Sequence, residues 1–380
     1  MARLNYQSGW YEGKVDKYNN PHDYGTMNWY EGDEYTGDWY HGTKHGEGTY
    51  KFCNGNVYEG EFSNNNMHGK GKMIYHDGDK YEGDWVNDNM HGKGKYTFNN
   101  GDVYEGSFIN GCMTGFGKLR YAENGSIYEG EFVDWVEHGV GKLTFADGDV
   151  YEGSFKNGQM HGKGKVFLSN GEKWSGVWIN GEINGELVTE YPNGDVERSK
   201  FVNGVPEPIV LYVYANEDRY FGGWYDGAPH GYGKMEYASG SIYEGQWENG
   251  LRHGLGKYIW DDGDSYDGEW FENSRTGRGK FVRTNGNIYE GNYLNGKKDG
   301  VGIFTWADGE VYVGEWKNDK KEGVGKYIWT NGAFYLGEWL NNNKHGNGTY
   351  HFADGTEIQG IWENDVRIET ISTTYPIDEE

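Results

Sequence analysis

The tripeptide Tyr-Glu-Gly opens at Tyr58, Tyr81, Tyr104, Tyr128, Tyr151, Tyr243 and Tyr289, and neighbouring copies are separated by 23 or 24 residues or by multiples of these. This period constrains the fold more than any other feature of the chain. A unit so short cannot enclose a core of its own and must bury its apolar face against the next copy. Read in register, the unit starts at Tyr11, Tyr35 and Tyr58 and recurs about sixteen times, through Trp174, Glu197, Tyr220 and Tyr335 to Ile358. Almost nothing remains for a separate catalytic domain. The frame is a lead at 1–10, a first array at 11–196, a degenerate unit at 197–219, a second array at 220–357 and a partial unit or cap at 358–380.

Within the unit at 58–80, Tyr58 to Ser63 alternates large apolar with acidic residues, and Lys72 to His76 is again short and rich in β-formers, so both read as strands. The Asn-rich and Gly-x-Gly segments between them are expected to supply the reversal, and Asp77-Gly78 a second turn into the next unit. The fold class is therefore all-β: a single-layer antiparallel sheet of tandem hairpins, an elongated solenoid or ribbon. At about 4.8 Å per strand its upper length is roughly 150 Å. Alternation puts the first and fifth rings (Tyr58 and Phe62, Tyr81 and Trp85) on one face with the intervening Gly leaving room for a ring. Glu59, Glu61 and the lysines after Gly-x-Gly, such as Lys72 and Lys95, are expected on the other face, paired across strands.

The string Tyr58-Glu-Gly-Glu-Phe62, Asn64, Met67-His68-Gly69-Lys70-Gly71-Lys72 resembles the MORN (membrane occupation and recognition nexus) repeat, and the resemblance runs from about Tyr11 to the C-terminus. It implies a groove that takes extended or helical segments of partner proteins. It also implies a non-catalytic scaffold of the kind found in cytoskeletal structures, ciliary and flagellar axonemes, radial-spoke heads and protist cortical complexes. The Asn-rich turns, such as Asn341-Asn342-Asn343, fit a protist.

The unit from Glu197 to Arg219 lacks the leading Tyr and the His-Gly, and carries Pro206-Glu207-Pro208 before Ile209 to Tyr214. It reads either as a degenerate repeat that keeps register or as a bend or docking strand between two arrays. The last unit keeps Gly360 and Trp362 but loses His-Gly, which suits a cap or a dimerisation end.

A formal charge of −25 opposes docking on nucleic acid or anionic lipid, and favours basic or zwitterionic protein partners. Cys53 and Cys112 stand far apart, and the residues before the first unit do not read as a secretory leader, so a reduced, cytoplasmic or cytoskeletal setting is expected. A membrane-junction or phosphoinositide module is the alternative, and it would want a basic face. A third reading is a regulatory subunit of a lipid-signalling enzyme.

Eight histidines recur in one register position, among them His45, His68, His91 and His345. Equivalent atoms in adjacent units stand roughly 10 Å apart, too far to share a metal ion, so a structural turn role is expected and no metal or cofactor is assigned. The Gly-x-Gly pairs lack a following helix and do not read as phosphate loops. No carboxylate pair or cysteine stands beside a nucleophile and base, and no enzyme is expected. The candidate protein-binding residues are the ring row Trp39, Trp85, Trp224, Trp247, Trp270, Trp316 and Trp339, expected to line a concave exposed surface.

Overall fold

The computed structural model describes residues 1–376, so the last four residues of the expected cap at 358–380 lie outside the described residues. Thirty-four strands form one open sheet, antiparallel wherever they pair, and there is no helix among the described residues. Each register start begins one hairpin. A seven-residue strand such as Val57–Ser63 is followed by a nine-residue strand such as Asn66–Ile74. The chain divides into two compact units, residues 1–192 with 201–205 and residues 193–200 with 206–376, so the change falls between 192 and 206.

The reversal within each hairpin takes only two residues, except in the first repeat, where residues 16–20 link Gly9–Val15 to Pro21–Trp29. Asn64 and Asn65 have φ of 50° and 74°, and Asn249-Gly250 has 50° and 78°. Positive φ at both central residues is the type I′ geometry that matches strand twist, which is why Asn, Asp and Gly recur there. The side chain at the second turn position then reaches the neighbouring hairpin. Asn65 Oδ1 accepts the Lys44 N–H at 2.9 Å, and Asp365 Oδ1 accepts that of Lys344 at 2.8 Å. On the opposite edge the turn from Tyr75 to Asp79 closes by a Gly78 N–H bond to the Tyr75 carbonyl at 3.0 Å. Asp79 Oδ1 there takes the Asn99 N–H of the next unit at 2.8 Å. Both edges of the sheet are thus stapled repeat to repeat.

The Gly-x-Gly segment does not make the turn, contrary to the sequence expectation. Met67, His68, Gly69, Lys70 and Gly71 all lie within the strand Asn66–Ile74, whose register against Val57–Ser63 shifts between Gly60 and Phe62. Gly69 sits at this bulge with φ 67°, a left-handed conformation that glycine adopts most readily. Glu61 folds back onto the bulge and accepts the Lys70 N–H at 2.8 Å, so its carboxylate is not simply solvated. The histidines consequently occupy the third position of the long strand, as in Asn89–Thr97, rather than a turn.

In each unit the core is a row of rings over glycine. Gly60 and Gly71 are directly paired across the hairpin, and the Tyr58 ring lies flat across them with its hydroxyl donating to the Glu61 carbonyl at 3.0 Å. Glycine therefore makes room for the tyrosine of its own hairpin, where the sequence had suggested a neighbouring ring. The neighbour arrives edge-on: Tyr58 meets Phe62 at 5.1 Å and Trp85 of the next repeat at 5.2 Å, both near 90°. The other face carries the expected charge pairs, Lys95 with Glu105 at 3.0 Å and Lys142 with Glu152 at 3.2 Å. Both are well exposed and contribute little each.

A Cβ added to Gly83 would stand 2.5 Å from the Tyr81 hydroxyl, 2.6 Å from Gly94 Cα and 2.7 Å from the Lys93 carbonyl oxygen. Gly83→Val should therefore lower stability by about 1–3 kcal/mol, and His91→Gln by less. Comparison of the two denaturant midpoints checks the ordering; a histidine variant that is clearly the weaker of the two contradicts it.

Candidate protein-binding face

The tyrosine that leads each repeat is the innermost side chain. Tyr58, Tyr104, Tyr243 and Tyr335 are wholly inaccessible. Beside this row lies the fifth-position row. Trp39, Trp85, Trp247, Trp270, Trp316 and Trp339 are only 3–6% exposed, against the expectation that they line an open surface. Their indole N–H groups explain it. Each donates across the repeat boundary to the carbonyl of a glycine on the preceding hairpin: Trp39 to Gly25 at 3.1 Å, Trp85 to Gly71 at 3.2 Å, Trp247 to Gly233 at 3.1 Å. Trp270, Trp316 and Trp339 repeat the bond to Gly256, Gly302 and Gly325. These six rings are inter-repeat cement. Trp224 differs: it is partly exposed and stacks on Tyr212 with centroids 4.7 Å apart.

The accessible ring surface comes from the far end of the long strands and the turn that follows. In the second unit Tyr258, Phe281, Phe304, Tyr327 and Tyr350 are partly buried in register with the tyrosine row, and Trp260, Trp306 and Trp329 lie just beyond them. Tyr327 meets Trp306 at 5.0 Å and Trp329 at 4.9 Å, so the rings run on from repeat to repeat. In the first unit the corresponding rings are Trp29, Tyr50, Phe52, Tyr75 and Phe98. Trp135 joins them from a turn with φ 73°, held there by Tyr96 at 5.1 Å and Phe98 at 6.2 Å. Sequence reading missed this surface because it keyed on the Tyr-Glu-Gly strand. The signal was present in the partner strand, where Tyr258 stands directly opposite Tyr243.

Turn carboxylates hold these outer rings in place. Asp79 accepts the Tyr96 hydroxyl at 2.6 Å, Asp195 that of Tyr212 at 2.7 Å, and Glu310 that of Tyr327. Burial and the adjacent Glu310 carboxylate push the Tyr327 hydroxyl well above the usual phenol range. Burial likewise lifts the inner row, bringing Tyr104 and Tyr151 up to about 12 and Tyr58 and Tyr243 further.

No group of three His, Cys, Asp or Glu side chains converges for a metal among the described residues. His230 and His345 each keep a buried Nδ1 without a hydrogen-bond partner. Cys53 and Cys112 are free. No helix of the described residues is long and apolar enough to cross a membrane.

The MORN repeat family model matches thirteen segments, seven contiguous or nearly contiguous from 35 to 196 and six from 220 to 357. The chain belongs to the MORN-repeat family. The register units at 11–34, 197–219 and 358–380 fall outside the matched segments, although each forms a hairpin. Among curated proteins there is no match. Among solved structures, the TCP domain of SAS-4 from Drosophila melanogaster, in complex with a proline-rich motif of Ana2, is 18% identical over 40% of this chain and 83% of that chain, with a TM-score of 0.28. The TCP10 domain of Danio rerio CPAP in complex with a STIL peptide is 11% identical over 73% and 96%, with a TM-score of 0.21. A streptogramin B lyase is 13% identical over 93% and 95%, with a TM-score of 0.13. Global superposition is poor in all three.

Two outcomes are expected. Trp270→Ala removes a buried ring and its cross-repeat bond and should cost about 3–5 kcal/mol, whereas Trp306→Ala, at the partly exposed row, should cost clearly less; urea unfolding of both variants checks this. Raised phenol pKa values mean that the folded state favours neutral tyrosine. Their stabilisation is complete below about pH 10, the unfolded value, and is lost as pH rises through the folded values near 12 and above. Absorbance at 295 nm should therefore show the inner tyrosines ionising together with unfolding, not in a gradual titration centred near pH 10.

Proposed function

We propose that this chain is a non-catalytic scaffold that binds other proteins along the outer ring rows of its aromatic face, in a cytoskeletal assembly such as a ciliary or flagellar axoneme. The observation that carries the reading is the division of labour among the rings. Trp39, Trp85, Trp247, Trp270, Trp316 and Trp339 are committed to cementing repeats, while Trp260, Trp306, Trp329 and their neighbours remain partly exposed in every repeat they occupy. Aromatic surface repeated at this scale serves large, extended contacts, because each ring offers area at low entropic cost. Membership of the MORN family supports a repeat scaffold, and the cytoskeletal setting is proposed on that resemblance.

Charge argues for proteins over bilayers. The lysines of the polar face alternate with glutamates, as in Lys95–Glu105 and Lys118–Glu129, so no polybasic patch offsets the net −25. Homodimerisation through the last repeat is a further part of the proposal. It draws on the strand Val366–Thr374, which exposes Val366, Ile368 and Ile371. Sedimentation velocity over a concentration series tests it.

Cross-linking and mass spectrometry of the full chain in its native source, compared with a Trp260→Ala/Trp306→Ala/Trp329→Ala variant, test the main reading. The expected result is a cytoskeletal partner set that the variant loses, together with negligible co-sedimentation with phosphatidylserine vesicles at physiological salt. Strong vesicle binding that the variant retains would overturn it in favour of the membrane-junction reading.

A further inference from the structure

In most hairpins the second residue of the nine-residue strand lies against the rings, and its chemistry shifts between the two units. In the first unit it is methionine in four hairpins, Met67, Met90, Met113 and Met160, with His22, Glu137 and a single cation, Lys44, which lies 4.2 Å over Tyr50, in the others. In the second, five successive repeats place a cation there: Arg252, Arg275, Lys298, Lys321 and Lys344. Each cation lies over ring faces. The guanidinium carbon is 4.7 Å from the Trp270 centroid for Arg252 and 5.2 Å from that of Tyr293 for Arg275. The ammonium is 4.2 Å from Trp316 for Lys298, 4.2 Å from Trp339 for Lys321 and 4.9 Å from Trp362 for Lys344.

All five are partly buried, and none forms an ion pair among the described residues. Burial pushes Lys321 down to about 8 and moves Lys298 and Lys344 in the same direction. Carboxylates act on the ammoniums from beyond ion-pair distance, Asp319 on Lys298 and Asp365 on Lys321 and Lys344, while accepting backbone N–H groups, Asp319 that of Lys298 at 2.9 Å and Asp365 that of Lys344 at 2.8 Å. An open recess of about 490 Å³ lies beside the column, where Arg275, Arg283 and Lys298 face Asp262, Asp264 and Asp319 among the rings. A partly desolvated cation without a direct ion pair is costly, and cation–π contact with more distant carboxylates offsets only part of that cost. Methionine in the same column of the first unit shows that the fold does not require charge there.

We propose that the aromatic side of the second unit docks an acidic segment of a partner protein, and that the column from Arg252 to Lys344 selects it. Equivalent positions in successive repeats are two strands, roughly 10 Å, apart, so an extended segment meets the column with a carboxylate at about every third residue. Its carboxylates supply the direct ion pairs the cations lack, and its apolar atoms lie on Trp306 and Trp329. A nucleic acid or anionic bilayer would present its charge over a broad front to a chain of net −25, whereas a segment brings a few carboxylates to the cations alone. The inference rests on the scaffold reading above and names its ligand chemistry.

The test uses the full chain and a labelled peptide of about 13 residues with Glu at every third position among Ser and Ala, beside the same peptide with Gln. Fluorescence anisotropy should show the Glu peptide binding at least about tenfold more tightly than the Gln peptide, with the preference weakening as salt rises. A Lys298→Met/Lys321→Met/Lys344→Met variant, which copies the methionine column of the first unit, should lose the preference while melting close to the parent. The corresponding Lys→Arg variant should keep it. Equal binding of the two peptides to the parent, or a Met variant that retains the preference, overturns the inference. So does stronger binding of polyuridylate or phosphatidylserine vesicles through the same lysines. If the Trp260/Trp306/Trp329 variant loses its partners while the Glu peptide is not preferred, the scaffold reading stands and the cation column falls.

Discussion

A tyrosine ring lying across a pair of glycines is the contact on which the other features of the fold depend. Gly245 and Gly256 face each other across one hairpin, and a Cβ on Gly256 would stand 2.2–2.6 Å from atoms of the Tyr243 ring. Removing two side chains lets a large ring lie against backbone in a sheet only one layer thick. The layer thereby gains buried area without a second sheet or a helix to cover it. The hydroxyl is brought to the Gln246 carbonyl at 2.9 Å, which satisfies the one polar atom this burial endangers. The indole of the following repeat then closes over the edge of the ring, with Tyr243 and Trp270 at 5.5 Å, and bonds back to the Gly256 carbonyl at 2.9 Å. One glycine therefore serves both the ring of its own hairpin and the tryptophan of the next.

The bulge follows from the same arrangement. Past the glycine pair the two strands fall out of register, and the glycine after the histidine absorbs the mismatch at positive φ, as Gly254 does at 57°. Gln246, like Glu61 elsewhere, turns its side chain to the freed N–H, here that of Leu255 at 2.8 Å. The repeat signature thus encodes a backbone irregularity, with histidine beside it as a strand residue and no ligand role required. What the core leaves over is the outer ring surface, and the second residue of the long strand can vary there without disturbing the glycine contact. At that position the first unit is richest in methionine, as at Met90 and Met113, although Lys44 stands there once, and the second runs cations through five repeats, as at Lys298 and Lys321.

Much of this was legible in the chain. The period gave the hairpins, and strand alternation gave the shared face of Tyr81 and Trp85 and the opposed face of Glu and Lys. The length of the second strand was hidden, because Gly69 and Gly71 look alike in sequence while one sits at a bulge and the other under a ring. Which rings stay accessible was hidden too. Trp85 and Trp306 are the same residue type, and only the cross-repeat bond to a glycine carbonyl distinguishes the buried from the partly exposed. The cation column escaped notice because motif reading follows what repeats, and this position matters through what changes between units.

A double-mutant cycle on Tyr243→Leu and Gly256→Ala measures the central contact most directly, since the nearest atoms to the added methyl all belong to that one ring. The account predicts that Gly256→Ala is costly in the parent and nearly neutral once the ring is gone, a coupling of at least about 1 kcal/mol by denaturant unfolding. Additive effects, with the alanine equally damaging in both backgrounds, would contradict the claim that the glycine pair exists to seat the tyrosine.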